Sequence, residues 1–210
     1  MSFLIRIRVI YTSSSGHNLV YKFIFIKTRK TAGSSIEKFF LDTLDSNIIF
    51  GGMPPENLAP INCNKCIEHK GWKFVGKRYK KEWQQYYKFT IERNPWDKIV
   101  SLYHWQLKTE PQHQITTFTD YILYCKKLYN KKDWQLYTKD SIPVVDFIIR
   151  YENINEDFAT VCESLNIPYN NELNKINLKS SIRKNKNYRD FYNTRTKNIV
   201  GDIFKKEIEY

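Results

Sequence analysis

Two short stretches of this chain carry residue types and spacings suited to holding an anion. The first is Phe23-Ile24-Phe25-Ile26-Lys27-Thr28-Arg29-Lys30-Thr31-Ala32-Gly33-Ser34-Ser35-Ile36, an apolar strand pattern that runs into a loop and then a helix. A helix N-terminus leaves backbone N–H groups unpaired and carries partial positive charge, so a glycine-containing turn before it can wrap a phosphate or sulfate. Gly33 lets backbone approach closely, Ser34 and Ser35 offer hydroxyls and an N-cap, and Lys30 adds a mobile cation. The spacing predicts a helix from about Ser34, with Ile36, Phe39, Phe40 and Leu44 on its buried face and Glu37 in its first turn. Read alone, the stretch fits an anion cradle or a plain strand, turn and capped helix equally well. The Walker pattern, two glycines bracketing a loop that ends in Lys and Ser or Thr, is absent.

The second stretch is Phe89-Thr90-Ile91-Glu92-Arg93-Asn94-Pro95-Trp96-Asp97-Lys98-Ile99-Val100-Ser101-Leu102-Tyr103. Tyr86 to Ile91 is aromatic and β-branched, as a strand requires, and Pro95 suits the first position of a helix. Arg93 then stands at a strand end beside a second helix start, and Ser101 lies about two turns further on. Here too a plainer reading stays open: Arg93 paired with a carboxylate, and Ile99, Val100, Leu102 and Tyr103 as core.

Taken together, Lys30-Thr31-Ala32-Gly33-Ser34-Ser35 and Arg93-Asn94-Pro95-Trp96-Asp97-Lys98-Ile99-Val100-Ser101 resemble the two nucleotide motifs of sulfotransferases that use 3′-phosphoadenosine 5′-phosphosulfate (PAPS), in the branch related to carbohydrate and heparan-sulfate sulfotransferases. That family carries Pro-Lys-Thr-Ala-Gly-Thr-Ser at the 5′-phosphosulfate and Arg-Asn-Pro-(Tyr/Trp)-Asp-Arg-x-x-Ser at the 3′-phosphate. The resemblance extends to Ile149 to Phe158, to Cys162 to Ile167, and to the basic loop from Arg183 and the closing helix to Tyr210. It implies a P-loop-like parallel sheet flanked by helices. Lys30, Thr31, Ala32, Gly33, Ser34 and Ser35 would hold the phosphosulfate, while Arg93, Ser101 and Arg183 would serve the 3′-phosphate. It also implies Lys30 on the leaving-group side and a base in the segment around Glu68-His69. Two positions depart from the family: Arg29 replaces a common proline, and Glu92 replaces a common apolar residue. Glu92 alternates with Arg93 in the strand, so it is expected to face away from the phosphate.

Sulfuryl transfer needs cations and N–H dipoles at the departing phosphate and a base for the acceptor hydroxyl. His69 leads as base because neutral imidazole titrates near neutrality. A solvated loop residue is the competing reading for His69, and Glu37 and Glu68 are lesser candidates. The chemistry requires no metal. Cys63-x-x-Cys66 with His69 supplies only three zinc ligands, and Cys125 and Cys162 lie far along the chain in helical patterns, so free or buried thiols are the default.

The chain has 210 residues, a length suited to one α/β domain spanning 1–210. Its net charge of +12 points to anionic partners: PAPS, its product 3′-phosphoadenosine 5′-phosphate, and an acceptor that is a glycan or other hydroxyl compound, charged or neutral. The clusters at 77–81 and 183–186 concentrate this charge; the first is expected as an exposed helix face and the second over the nucleotide. No apolar run reaches the about 20 residues of a membrane span, and no signal peptide is visible, so a cytoplasmic protein is expected, with a viral or bacterial source left open. A strand pair around Ser13 to Gly16 should precede the first motif, with a Pro-containing irregular middle. Helices near Phe118–Leu128, Asn155–Leu165 and Thr196–Ile208 and a strand over Val144–Arg150 should follow, with ligands at the carboxyl ends of the strands.

Two other functions remain open. A P-loop-type nucleoside or nucleotide kinase would pair a strand-loop-helix with arginines, but should add a fuller Walker loop and an acidic magnesium ligand. A basic nucleic-acid-binding protein would account for the charge and the 16% aromatic content, although the aromatics fall at core spacing and no stable nucleic-acid partner is expected.

Overall fold

All four residues of the strand Phe23–Ile26 are buried, as happens when layers cover both faces of a sheet. The computed structural model describes residues 5–8, 21–44, 48–50, 71–109, 117–124, 133–170, 173 and 187–210. In it Phe23–Ile26 is β2 of a five-stranded sheet. β1 (Ile5–Arg8) runs antiparallel to β2, with Ile5 opposite Ile26, and β3 (Ile48–Phe50) runs antiparallel to β1. On the other side β4 (Tyr87–Glu92) is parallel to β2, with Ile26 opposite Thr90. β7 (Phe147–Arg150) is parallel to β4, with Glu92 opposite Arg150. The architecture is therefore α/β, with three parallel strands and an antiparallel pair on one edge.

Period-two alternation sends successive side chains of β2 to opposite faces. Phe23 and Phe25 enter one core with Phe89, Ile91 and Ile149. Helix α1 (Gly33–Thr43) and helix α7 (Ile154–Ser164) close that face. The Phe40 ring lies 4.7 Å from Phe23 and 5.6 Å from Phe158, and Phe39 meets Phe158 edge-on at 5.2 Å. Burying each such ring stabilises the fold by about 1.5–3 kcal/mol. Ile24 and Ile26 enter a second core with Val75, Tyr86, Trp134 and Tyr137. That face is closed by α2 (Trp72–Arg78) and α6 (Trp134–Tyr137), with Trp72 Nε1 donating to the Thr138 carbonyl at 2.6 Å. A third, all-helical cluster joins α4 (Pro95–Thr109), α5 (Phe118–Tyr124) and α8 (Thr194–Ile203).

Several elements differ from the sequence expectation. α2 and α3 (Lys80–Gln85) were not anticipated; Lys77, Arg78, Lys80 and Lys81 are exposed on them, as expected for that cluster. The strand expected over 144–150 begins only at Phe147: the Val144 N–H donates to the Tyr137 carbonyl at 2.9 Å, and Asp146 Oδ2 accepts the Lys88 N–H at 2.6 Å. Before it lies a two-stranded hairpin of β5 (Thr138–Lys139) and β6 (Ile142–Pro143), which turns through Asp140 and Ser141 at φ 51° and 65°. The last expected helix is two, α8 and α9 (Lys205–Glu209), broken where Phe204 drives its side chain fully into the core. α5 is described only to Tyr124. The turn at 13–16 and the Pro-containing middle at 54–60 lie outside the described residues, although the expected pairing of an N-terminal strand with β2 is present. No helix among the described residues is long and apolar enough to cross a membrane.

Candidate functional site

At the carboxyl end of β2 the chain turns twice through the left-handed region, at Lys30 (φ 57°) and Ala32 (φ 59°), before α1 begins at Gly33. Ala32 is the N-cap, and no side chain caps the helix. The helix thus starts one residue before the expected Ser34, and the Ser34 hydroxyl accepts a bond from Lys27 Nζ at 3.3 Å instead of capping. Lys27 also pairs with Glu37 Oε1 at 2.8 Å. Glu37 lies beyond the first turn and is buried in this ion pair, which weakens its standing as a base. A Cβ on Gly33 would come within 2.6 Å of Lys27 Cγ, so the glycine makes room for the lysine stem that crosses it. The Thr31 hydroxyl points into the loop, donating to the Thr28 carbonyl at 3.0 Å, and Thr28 Oγ1 donates to the Ile91 carbonyl. Thr31 can therefore meet a ligand through its backbone but not through its buried hydroxyl. Ser35 is also buried.

At the carboxyl end of β4, Arg93 reaches across to this loop. Its Nη1 donates to the Lys30 carbonyl at 2.8 Å, and Nε and Nη2 donate to Asp97 Oδ2 at 3.0 and 2.6 Å. The guanidinium lies over the Tyr151 ring, 4.0 Å from its centroid. Asn94 Oδ1 caps α4 by accepting from the Trp96 and Asp97 amides at 3.1 and 3.3 Å, and Pro95 takes the first helical position. Asp97, Ser101 and Trp105 follow at intervals of one helical turn on one face of α4. Lys30 spans that face, from its carbonyl at Arg93 to its ammonium 4.5 Å from the Trp105 ring centroid. Arg93 and Lys30 thus meet, and Ser101 stands on the same face of α4, one turn from Asp97 and one from Trp105.

Glu92 and Arg93 go to different partners, as the strand alternation predicts. Glu92 Oε1 pairs with Lys98 Nζ at 2.8 Å, and the same ammonium pairs with Asp133 Oδ2 at 2.8 Å. Asp133 also accepts the Arg29 amide at 2.8 Å and pairs with its guanidinium at 3.1 Å. Burial pushes the Glu92 carboxyl up to about 7, the attraction of Lys98 being partly cancelled by the neighbouring Asp133 charge. Lys98 is held above the usual lysine range: burial opposes its charge, but two carboxylates outweigh burial. Behind them the Tyr137 phenol is raised by burial and by the same acidic neighbours.

His69, Glu68, Cys63, Cys66 and Arg183 lie outside the described residues. Among the described residues no group of three or more His, Cys, Asp or Glu side chains is placed to hold a metal ion. Cys162 is a buried free thiol, pushed up to about 12 by burial. The C-terminal helix docks beside the second motif: Tyr192 Oη donates to the Trp96 carbonyl at 2.9 Å, and Trp96 Nε1 to the Lys197 carbonyl at 3.0 Å. Sequence reasoning missed Lys27, Asp133 and Trp105 as shapers of the site. Asp97 alone carried a local signal, a carboxylate four residues after Arg93 in a helix start.

The chain is 30% identical over 100 residues to a protein of Archaeoglobus fulgidus described as uncharacterized, a match covering 46% of this chain and 82% of that protein. It belongs to one family with that archaeal protein, whose description assigns no activity. No protein-family model and no solved structure matches the chain.

Proposed function

We propose that this protein transfers a sulfuryl group from PAPS to an acceptor hydroxyl, with a carbohydrate as the favoured acceptor class. The observation that carries the reading is the 2.8 Å bond from Arg93 Nη1 to the Lys30 carbonyl. It joins the two motifs at the carboxyl ends of adjacent parallel strands, the usual place for a ligand on an α/β sheet. In this reading the acceptor oxygen attacks sulfur in line as the bond from sulfur to the bridging phosphate oxygen breaks. The acceptor proton passes to a base, for which His69 is proposed, and 3′-phosphoadenosine 5′-phosphate departs. Lys30, already displayed along α4, neutralises the charge that develops on the departing phosphate. Gly33, Ser34 and the uncapped start of α1 cradle that phosphate. Arg93 has five N–H donors, and its bonds to Asp97 and Lys30 leave capacity for a 3′-phosphate beside Ser101. Arg183 is assigned to the same phosphate on the family resemblance alone.

Calorimetry with 3′-phosphoadenosine 5′-phosphate, ADP and ATP, with and without magnesium, tests the donor site. Metal-independent binding that needs the 3′-phosphate is expected. Binding of ATP that requires magnesium would replace this reading with a kinase, and salt-sensitive binding of oligonucleotides alone would replace it with nucleic-acid binding. Arg93→Ala should weaken 3′-phosphoadenosine 5′-phosphate by about tenfold or more, the value of a charge-assisted bond. Lys30→Ala should lower turnover by about a hundredfold while changing nucleotide affinity less. His69→Ala with unchanged turnover would remove His69 as the base.

A further inference from the structure

Asp133 stands 104 positions after Arg29 in the chain, yet it accepts the Arg29 backbone N–H at 2.8 Å. It is fully buried, and it receives two cations as well: the Arg29 guanidinium at 3.1 Å and the Lys98 ammonium at 2.8 Å. Lys30, the next residue, is the first of the two left-handed residues of the anion loop. A non-glycine residue in that region costs about 1 kcal/mol and persists when its surroundings fix it. The Arg93 bond fixes the carbonyl side of Lys30, and Asp133 fixes the residue before it. Lys98 then links the same carboxylate to Glu92, the last residue of β4 and the neighbour of Arg93.

We propose that Asp133 is a positioning residue that holds the left-handed turn at Lys30 through Arg29 and couples that turn, through Lys98, to Glu92. Its effect on nucleotide affinity rests on the proposed sulfuryl transfer, whereas the tether belongs to the loop with or without ligand.

The coupling has a direction. Glu92 faces Lys98 from α4, Asp133 ahead of α6, Tyr137 within α6 and Glu207 in α9, and Asp133 in turn holds Arg29. While Glu92 is neutral, Lys98 gives its full charge to Asp133. When Glu92 ionises, Lys98 is shared between two carboxylates, and Asp133 turns more of its charge to Arg29. The tether on the loop therefore tightens as pH rises through neutrality, where Glu92 titrates.

Amide hydrogen exchange on the unliganded chain, corrected for intrinsic rates, reads the tether directly. In Asp133→Asn the amides of residues 29–33 should exchange about tenfold faster while those of β4 keep wild-type rates. Wild-type loop rates in this variant would overturn the proposal. If Asp133→Asn loses protection in β4 as well, Arg29→Ala replaces it: this variant keeps the N–H bond, removes the guanidinium and should speed loop exchange by about threefold. Unchanged rates there would overturn the tether. Wild-type loop protection should rise between about pH 6 and about pH 8 and stay flat in Glu92→Gln. The same profile in both proteins would overturn the coupling to Glu92, since a purely structural carboxylate would leave it unmoved. In parallel, 3′-phosphoadenosine 5′-phosphate should bind Asp133→Asn about tenfold more weakly. Faster loop exchange with no nucleotide binding by the wild type would sink the sulfuryl-transfer reading and leave the tether standing.

Discussion

β2 passes into α1 through two left-handed residues with no side-chain cap, whereas β4 passes into α4 through Asn94, whose carboxamide caps the helix, and Pro95, which lacks an N–H. Both loops lie at the same end of the sheet, since β2 and β4 are parallel and paired residue for residue. The first loop commits no side chain to the start of its helix. The second satisfies its own helix start and offers a long side chain, Arg93, instead. One helix can meet an anion with backbone N–H groups, and the other only with a guanidinium. The charges follow the same division. Beneath the first loop Lys27 pairs with Glu37, while behind the second Lys98 is shared by Glu92 and Asp133.

Substitutions that touch one unit and spare the other would sharpen or break this contrast. Lys98→Met should have the largest effect, because it leaves Glu92 and Asp133 buried without their common cation. A loss of about 3–5 kcal/mol in denaturant unfolding is expected. A loss below about 1 kcal/mol would show that Arg29 alone neutralises Asp133. Gly33→Ala comes next. Its Cβ would meet Lys27 Cγ at 2.6 Å and Cε at 2.8 Å, so Lys27 must leave both Glu37 and Ser34. We expect about 1–3 kcal/mol of destabilisation, read as a lower thermal midpoint, with the β4 unit unaffected by hydrogen exchange. Asn94→Ala removes the only side-chain cap of the pair and should cost about 1 kcal/mol. Ala32→Gly, at the uncapped start, should cost nothing or stabilise slightly, because glycine accepts φ 59° without strain. Equal losses from the two would erase the contrast.

Stability should also slope with pH. The folded-state carboxyl of Glu92 titrates at about 7, above its unfolded value, so the stability it contributes is complete below the unfolded value and is lost as pH rises through about 7. Wild type should lose roughly 2–3 kcal/mol relative to Glu92→Gln between about pH 5 and about pH 8. Parallel curves for the two proteins would place Glu92 in a more polar setting. Asp157 runs the other way: Arg150 hydrogen bonds hold its carboxyl below the usual range, so its contribution is present above the unfolded value and is lost as pH falls.

Much of the framework was legible because it is local. The buried run Phe23–Ile26, the strand ending at Glu92 and the helix opened by Asn94 and Pro95 follow from periodicity and from the chemistry of single residues. α7 falls within one residue of its expected span for the same reason. α2 and α3 were not legible, since their Lys-rich faces reveal little apolar period and their anchors, Trp72 on Thr138 and Gly71 against Leu136, come from a distant segment. The N-cap at Ala32 was misplaced for a related reason. A serine that could cap is drawn away by Lys27, and the turn is held from outside the helix.

Residue type and short-range spacing thus set which strands form, where two helices begin and which cations stand near them, because those outcomes depend on neighbours a few positions away. Folding settled how those cations are used. Arg93 meets Lys30 across 63 positions, and Arg29 meets Asp133 across 104. Partners at such separations leave no periodic trace in a chain. They become partners only when the parallel pairing of β2 with β4 and the docking of α6 bring them within bonding distance, where burial makes each unpaired charge costly and each pair specific.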